Sequence, residues 1–332
     1  MNNCGYVLVT GATGFVGRHL CPELIGAGYR VKAVYIGREA PSGWPAGIEW
    51  IRTEGIGPHT DWKVALEGGV SHVVHLAAMA HNIGPRNQIA DSTYDEVNHQ
   101  GSARLARAVA QTPSVRRFFF MSSIGAVTNF TEQPVCEHTD CFPCTAYGRS
   151  KLAAEKAIKQ ILFQTHADWC IFRTPLLHGP RNPGNMARLL KLLDLGLPLP
   201  LGSIKNRRTF LFVGNLIDAI KIALEHPAAA RETFCVSDSE VLSTTELLKR
   251  LGQASGRGAR LFPCPMVGLR IVGRLGTWFH LTTGRSIGVD HQTIQKLCGS
   301  LVVDNSYFRQ VCQWKPPFSA EEGLRMTARS IR

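Results

Sequence analysis

The chain has no run of five or more basic residues, although Lys and Arg outnumber Asp and Glu by 37 to 25, for a net charge of +12. The positive side chains are scattered, with one local pair at Arg207 and Arg208. Tracking a nucleic-acid backbone needs a clustered patch, so no nucleic-acid partner is expected, and small phosphate-bearing metabolites fit better. A long apolar run is missing too. The N-terminal MNNCGYVLVTG has no basic stretch ahead of an apolar core, so no leader is read there and a cytoplasmic location is expected. The most apolar late stretch, PMVGLRIVGRLGTWFHL at 265–281, carries Arg270 and Arg274 and falls short of a bilayer span. It reads as an amphipathic helix facing the core or covering a substrate, with a membrane surface as the alternative seat. Paired C-x-x-C knuckles, internal repeats and low-complexity tracts are absent. Without an export signal, the ten cysteines are expected to be free thiols.

What is present is an ordinary globular composition, 44% hydrophobic and 19% charged over 332 residues, enough to bury a large core. Short apolar runs read as buried strands at 6–10, 30–36, 48–52, 72–77, 116–123 and 168–174. Helical patterns lie between several of them, such as GFVGRHLCPELIGAG and SKLAAEKAIKQILFQT. Buried strands alternating with helices predict an α/β fold, a Rossmann-type doubly wound parallel sheet. After residue 175 the rhythm loosens and Pro and Gly become frequent, which predicts a smaller, mixed C-terminal substrate-binding portion. The expected division is 1–176, with 209–238 returning to it, against 177–208 and 239–332.

Strand YVLVT runs into GATGFVG (11–17) and then a helix. Gly11 permits a tight turn, Gly14 lets backbone approach a pyrophosphate, and Gly17 allows helix and strand to pack closely. The helix N-terminus then faces the phosphate charge, so a dinucleotide is expected. An acid at the end of the second strand would hold the ribose of NAD; here Tyr35 and Ile36 stand instead, with Arg38 close by. Arg38 is placed either to meet a 2′-phosphate or to point into solvent, so the cofactor is NAD or NADP, with NADP slightly favoured.

CEHTDCFPCTAYGRSK (136–151) poses a choice. Cys136, His138, Cys141 and Cys144 have the ligand types of a Cys3His zinc site. Tyr147 and Lys151, four apart on a helix, share one face. A lysine ammonium beside a tyrosine, together with the positive charge of an oxidised nicotinamide, favours phenolate and lowers its pKa, and the pair can move a proton to or from a substrate hydroxyl. Ser122 and Ser123 end the preceding strand and offer the third donor. The cysteines form a single cluster in a loop leading to this helix, so the stretch reads as an active-site approach and no metal is expected. His75 reads as the end of a buried strand, and His81 as a residue within reach of the substrate.

VTGATGFVG, HLAA (75–78), VNHQG (97–101), the serine pair, YGRSK and RTPLLHGP (173–180) resemble the extended short-chain dehydrogenase/reductases of the NAD-dependent epimerase/dehydratase type. IGPHTDW, HLAAMAH and LPLPLGSIKNRRT resemble its bacterial surface-polysaccharide subgroup of nucleotide-sugar 4-ketoreductases and UDP-glucose 4-epimerase-like proteins. The resemblance implies Ser123, Tyr147 and Lys151 as the catalytic trio. It implies cofactor contacts from Thr13, Gly14, Phe15 and Val16, from Leu76, Ala77 and Ala78, from Asn98, and from Thr174 and Pro175. Asn185 and Arg208 match positions that hold a substrate diphosphate, Arg208 by bidentate geometry. Three departures stand out. Ile124 occupies a common Ser/Thr position, so the serine role falls to Ser123; Gly55, beside Glu54, replaces an acid after the third strand; and Thr128 and Asn129 replace an aromatic. The expectation is an NAD(P)-dependent enzyme acting at C4 of a nucleotide-diphosphate sugar, a UDP-sugar first, with a homodimer compatible. The absent acid and Arg38 tilt it towards a 4-keto-6-deoxy-sugar reductase, with a 4-epimerase retaining NAD as the alternative. A non-catalytic NADP-sensing protein would not need Tyr147 and Lys151, and a steroid or flavonoid dehydrogenase leaves Asn185 and Arg208 unexplained.

Overall fold

A computed structural model describes residues 5–80, 90–183, 185–269, 271, 273–274 and 291–329. Seven parallel strands form the main sheet: β1 (Tyr6–Thr10), β2 (Arg30–Ile36), β3 (Ile48–Thr53), β4 (Val70–His75), β5 (Arg117–Met121), β6 (Asp168–Arg173) and β9 (Glu232–Cys235). Their order is β3-β2-β1-β4-β5-β6-β9, so the chain leaves β1 in one direction and returns beside it as β4. That reversal opens a crevice at the carboxyl ends of β1 and β4, where ligands bind in sheets of this kind.

Alternation within the strands covers both faces of the sheet. Val7 and Val9 pack with α1 (Phe15–Gly26) and α7 (Val213–Glu225), whereas Leu8 packs on the opposite side. There it meets α2 (Lys63–Leu66), α4 (Gly101–Ala110) and α5 (Ala146–Leu162). Phe119 joins the first core and Phe118 and Phe120 the second, the period-2 rule of an extended strand. A short helix α3 (Asp91–Tyr94) leads through a π-helical stretch (Asp95–Gln100) into α4.

A second sheet contains β7 (Leu176–His178), β8 (Arg208–Phe212) and β10 (Val241–Leu242), in the order β10-β8-β7 with β10 antiparallel. Its own core includes Met186, Leu190 and Leu193 of α6 (Asn185–Asp194), Phe210, and Leu247 and Leu251 of α8 (Thr244–Ala254). Ser243 and Glu246 form a reciprocal cap at the start of α8, satisfying two otherwise orphaned backbone donors. The remaining described helices are α9 (His291–Cys298), α10 (Ser306–Val311) and α11 (Ala320–Arg329). Phe308 and Trp314 pack in the first core of the large sheet, so the C-terminal segment serves both halves. Likewise β8 belongs to the small sheet while α7, directly after it, covers the large one. Among the described residues no helix is long and apolar enough to cross a membrane.

Candidate active site

The glycine turn is built by contact with backbone. Gly11 has φ +69°, and a Cβ there would lie 2.7 Å from the Ala77 nitrogen. At Gly17 a Cβ would meet the Ala12 carbonyl oxygen at 2.4 Å, so only glycine lets α1 sit this close to the turn. Gly14 caps α1 without a side chain, and the first turn of the helix carries no acid. The amide of Gly14 is spent on Gly11, and Arg18 ties down the Thr13 carbonyl at 2.9 Å. The result is an uncapped, positively polarised helix end beside a cradle that any side chain would fill, which fits a dinucleotide pyrophosphate. Leu76 and Ala77 close the other wall, their amides bonded to the Thr10 backbone and hydroxyl.

β2 itself carries no acidic residue. Tyr35 packs edge-on against Trp50, Ile36 is 61% exposed, and Arg38 lies exposed in the loop beyond. Arg52 secures that loop through the Gly37 carbonyl.

Ser123, Tyr147 and Lys151 are brought together. Ser123 starts a 3-10 turn (Ile124–Ala126), and Tyr147 and Lys151 lie one helical turn apart on α5. Thr145 caps that helix by accepting the Gly148 amide at 3.0 Å. A Cβ on Gly148 would come within 2.2 Å of the Gly125 carbonyl oxygen, so this glycine sets how near the tyrosine approaches the serine. Burial pushes the Tyr147 hydroxyl up to about 12, opposed by its hydrogen bond with Ser123 and assisted by Tyr94. The lowered value expected from the sequence draws on an oxidised nicotinamide as well as the lysine. In the protein itself desolvation is the largest cause, and burial also holds Lys151 down to about 7. Lys151 is 2% exposed and its ammonium sits 4.3 Å above the Phe120 ring.

Behind the trio lies a network that the sequence reading missed. Ser122 does not join Ser123; it donates to the carboxylate of Glu155, one turn beyond Lys151. Glu155, 1% exposed, also takes Arg173 at 2.7 and 3.1 Å. Arg173 immediately precedes Thr174 and Pro175, both buried, and the Thr174 carbonyl accepts the Ile124 amide. One carboxylate thus ties the ends of β5 and β6 to α5. Its signal in the sequence was the third member of the four-residue spacing, Tyr147, Lys151, Glu155.

Several expected contacts take other partners. Asn98 is fully buried in the π-helical stretch, where it bonds both backbone groups of Met79 and the Ser150 hydroxyl. Ser150 passes the link to the Tyr147 carbonyl, so Asn98 clamps the loop after β4 to the tyrosine helix. Both its amide hydrogens are used within the protein. His75 is wholly buried between Thr10 and Ser102, and burial followed by Lys151 pushes it down to about 3, so it stays neutral. Arg208 opens β8 and donates to the Lys296 carbonyl. His81 and the side chain of Asn185 lie outside the described residues; the backbone of Asn185 starts α6.

The cysteine-rich loop is tied to both halves. Phe142 bonds the Val127 carbonyl, Val135 bonds Val302, and Glu137 accepts the Cys235 amide at 2.6 Å. Segment 299–304 runs between this loop and β8, with bridges from Val135 to Val303 and from Arg208 to Leu301. Arg208 is therefore joined to the cysteine-rich loop through one intervening segment. The Cys136 and Cys141 thiols contact Thr139, and Cys144 is exposed. No group of three His, Cys, Asp or Glu gathers as a metal site among the described residues. A surface groove of about 570 Å³ lies elsewhere on the small sheet, lined by Lys205, Arg207, Ser243 and Glu246, and includes none of the trio.

The model of the NAD dependent epimerase/dehydratase family matches residues 7–236. The chain belongs to that family. It is 32% identical over 330 residues to a UDP-glucose 4-epimerase of Vibrio cholerae, covering 98% of this chain and 95% of that one. It is 26% identical over 330 residues to the N-acetyl-α-D-glucosaminyl-diphospho-ditrans,octacis-undecaprenol 4-epimerase of Escherichia coli O157:H7, covering 97% and 93%. In fold it resembles the UDP-glucuronic acid 4-epimerase of Bacillus cereus solved with NAD, with a TM-score of 0.75, 21% identity and 98% coverage of both chains. In the epimerase/dehydratase fold the glycine turn follows β1 and the serine turn follows β5, both at carboxyl ends of parallel strands. In this family member the residues that fit the dinucleotide are Gly11, Gly14 and Gly17, the open end of α1, and Leu76 and Ala77 opposite.

Proposed function

We propose that the protein is an NAD-dependent 4-epimerase of a sugar carried on a diphosphate, a UDP-sugar first, with Ser123, Tyr147 and Lys151 as its catalytic residues. The observation that carries the reading is the Tyr147 hydroxyl, hydrogen-bonded with Ser123 and one helical turn from buried Lys151. The likeness to two 4-epimerases along nearly the whole chain moves the balance from reductase to epimerase.

Ser123 holds the C4 oxygen and Tyr147 removes its proton as the sugar is oxidised. Lys151 stabilises the phenolate through charge, and the same tyrosine returns the proton when the 4-keto sugar has turned its other face. Bound NAD supplies the hydride acceptor and donor and, when oxidised, a positive charge that favours phenolate. Arg208 binds the diphosphate, which both a nucleotide sugar and a lipid-diphosphate sugar contain. Glu155 and Arg173 keep Ser122 and Ser123 in register with α5.

Incubation of purified protein with UDP-glucose or UDP-N-acetylglucosamine, with no cofactor added, should yield the C4 epimer. Dependence on added NADPH, with a 4-keto sugar as substrate, would establish the reductase instead. The bare end of β2 and exposed Arg38 favour that second reading, so the Arg38→Ala variant belongs in the same assay: selective loss of NADPH affinity would support it.

A further inference from the structure

Of thirteen large apolar side chains that are exposed among the described residues, seven fall in two short segments of the small-sheet half. Leu192, Leu195 and Leu197 lie in the last turn of α6 and just beyond, with Leu195 69% exposed. Phe262, Met266, Val267 and Ile271 follow α8, with Val267 67% exposed. The two segments are adjacent in space. Leu199 bonds Arg260 and receives Phe262 at 2.9 and 3.0 Å, Gly202 bonds Phe262 at 3.0 Å, and Arg257 pairs with Asp194 at 2.9 Å. The core side of α6 is already occupied by Met186, Leu190 and Leu193, so the exposed leucines are not needed to hold the helix. A cluster of this kind on a soluble surface marks a place of contact.

The charges around it select the partner. Lys191, Arg257 and Arg260 are exposed along these segments, and the neighbouring acid, Asp194, is paired with Arg257. A second copy packed face to face would set this basic rim against itself. An anionic lipid surface instead accepts apolar side chains and attracts lysine and arginine together.

We propose that this face is a peripheral membrane-docking surface that seats the protein on anionic phospholipid through Leu195, Leu197, Phe262 and Val267, with Lys191 and Arg260 on headgroups. The surface goes beyond the chemistry of the tyrosine site and does not depend on its being an epimerase.

The test is co-sedimentation of the full chain with vesicles of phosphatidylglycerol and, separately, of phosphatidylcholine. The expected result is binding to the first at least about tenfold tighter than to the second, and lost in about 1 M salt, where screening shortens charge attraction to about 3 Å. Leu195→Ser/Val267→Ser and Lys191→Glu/Arg260→Glu should each weaken binding to phosphatidylglycerol about tenfold or more. Unchanged melting temperatures and unchanged turnover of a soluble UDP-sugar would show both variants intact. Failure of the native chain to sediment with either vesicle overturns the proposal. So does a two-chain mass by light scattering that falls to one chain in Leu195→Ser/Val267→Ser, because a second copy would then cover the face.

Discussion

Replacing Glu155 by Met should cost far more than replacing Glu155 and Arg173 together. Both side chains are buried, at 1% and 5% exposure, and Arg173 gives its guanidinium to both Glu155 oxygens. Removing one partner leaves the other charge buried and unpaired, a change that costs about 3–5 kcal/mol. With about 2–4 °C lost per kcal/mol in chains somewhat shorter than this one, the melting point of either single variant should fall by roughly 5–15 °C. The double variant Glu155→Met/Arg173→Leu removes both charges and refills the space, so calorimetry should return it to within a few degrees of the native chain. Activity should behave differently. Ser122 loses its acceptor and Lys151 loses the nearby carboxylate in every variant containing Glu155→Met, so kcat should stay depressed in the stable double variant. A double variant as unstable as the summed singles would refute the pairing argument. A stable one with native kcat would reduce the network to scaffolding.

Gly148→Ala should lower kcat while leaving NAD affinity intact, because the new methyl meets the Gly125 carbonyl at 2.2 Å and pushes Tyr147 from Ser123; isothermal titration beside kinetics reads both. Burial lowers the folded value of Lys151 to about 7, so its charge is a cost below that pH and the cost fades as pH rises towards the unfolded value near 10.4. Lys151→Met should therefore raise the melting temperature of the cofactor-free protein at pH 6, with the gain shrinking by pH 10, as calorimetry across pH would show. Arg208→Ala should weaken UDP-sugar binding about tenfold or more, a charge-assisted bond being worth about 1.5–3 kcal/mol, and hardly move NAD(P) affinity.

Six of the seven strands of the large sheet were legible as short apolar runs, five of them mostly buried, and β1 and β2 begin and end where the runs do; β3 has no buried residue, and β9, four residues long, was not read. The glycine turn was legible because Gly11 and Gly17 answer to backbone contacts that a side chain would break, with Gly14 in a tighter than ordinary contact between them. The small sheet was not. β7 has three residues and β10 two, too few for periodicity, and they find each other through segments far apart in the chain. The Tyr147–Lys151 pair was visible as a local spacing, and Glu155 extended it, but Arg173 reaches Glu155 only through the sheet. Ser122 and Ser123 look equivalent in sequence, yet alternation turns one towards Glu155 and the other towards Tyr147. The rise of the tyrosine was hidden for a related reason: spacing shows the lysine nearby and hides the burial.

UDP-glucose bearing deuterium at C4 offers the most direct test of the central claim. Incubated with the purified protein without added cofactor and followed by proton and deuterium NMR, it should give UDP-galactose with the label still at C4, because the same hydride leaves and returns. Tyr147→Phe should slow this conversion at least about a hundredfold. No conversion by the native protein without added NADPH, or a product whose C4 hydrogen comes from added reductant, would contradict the epimerase account.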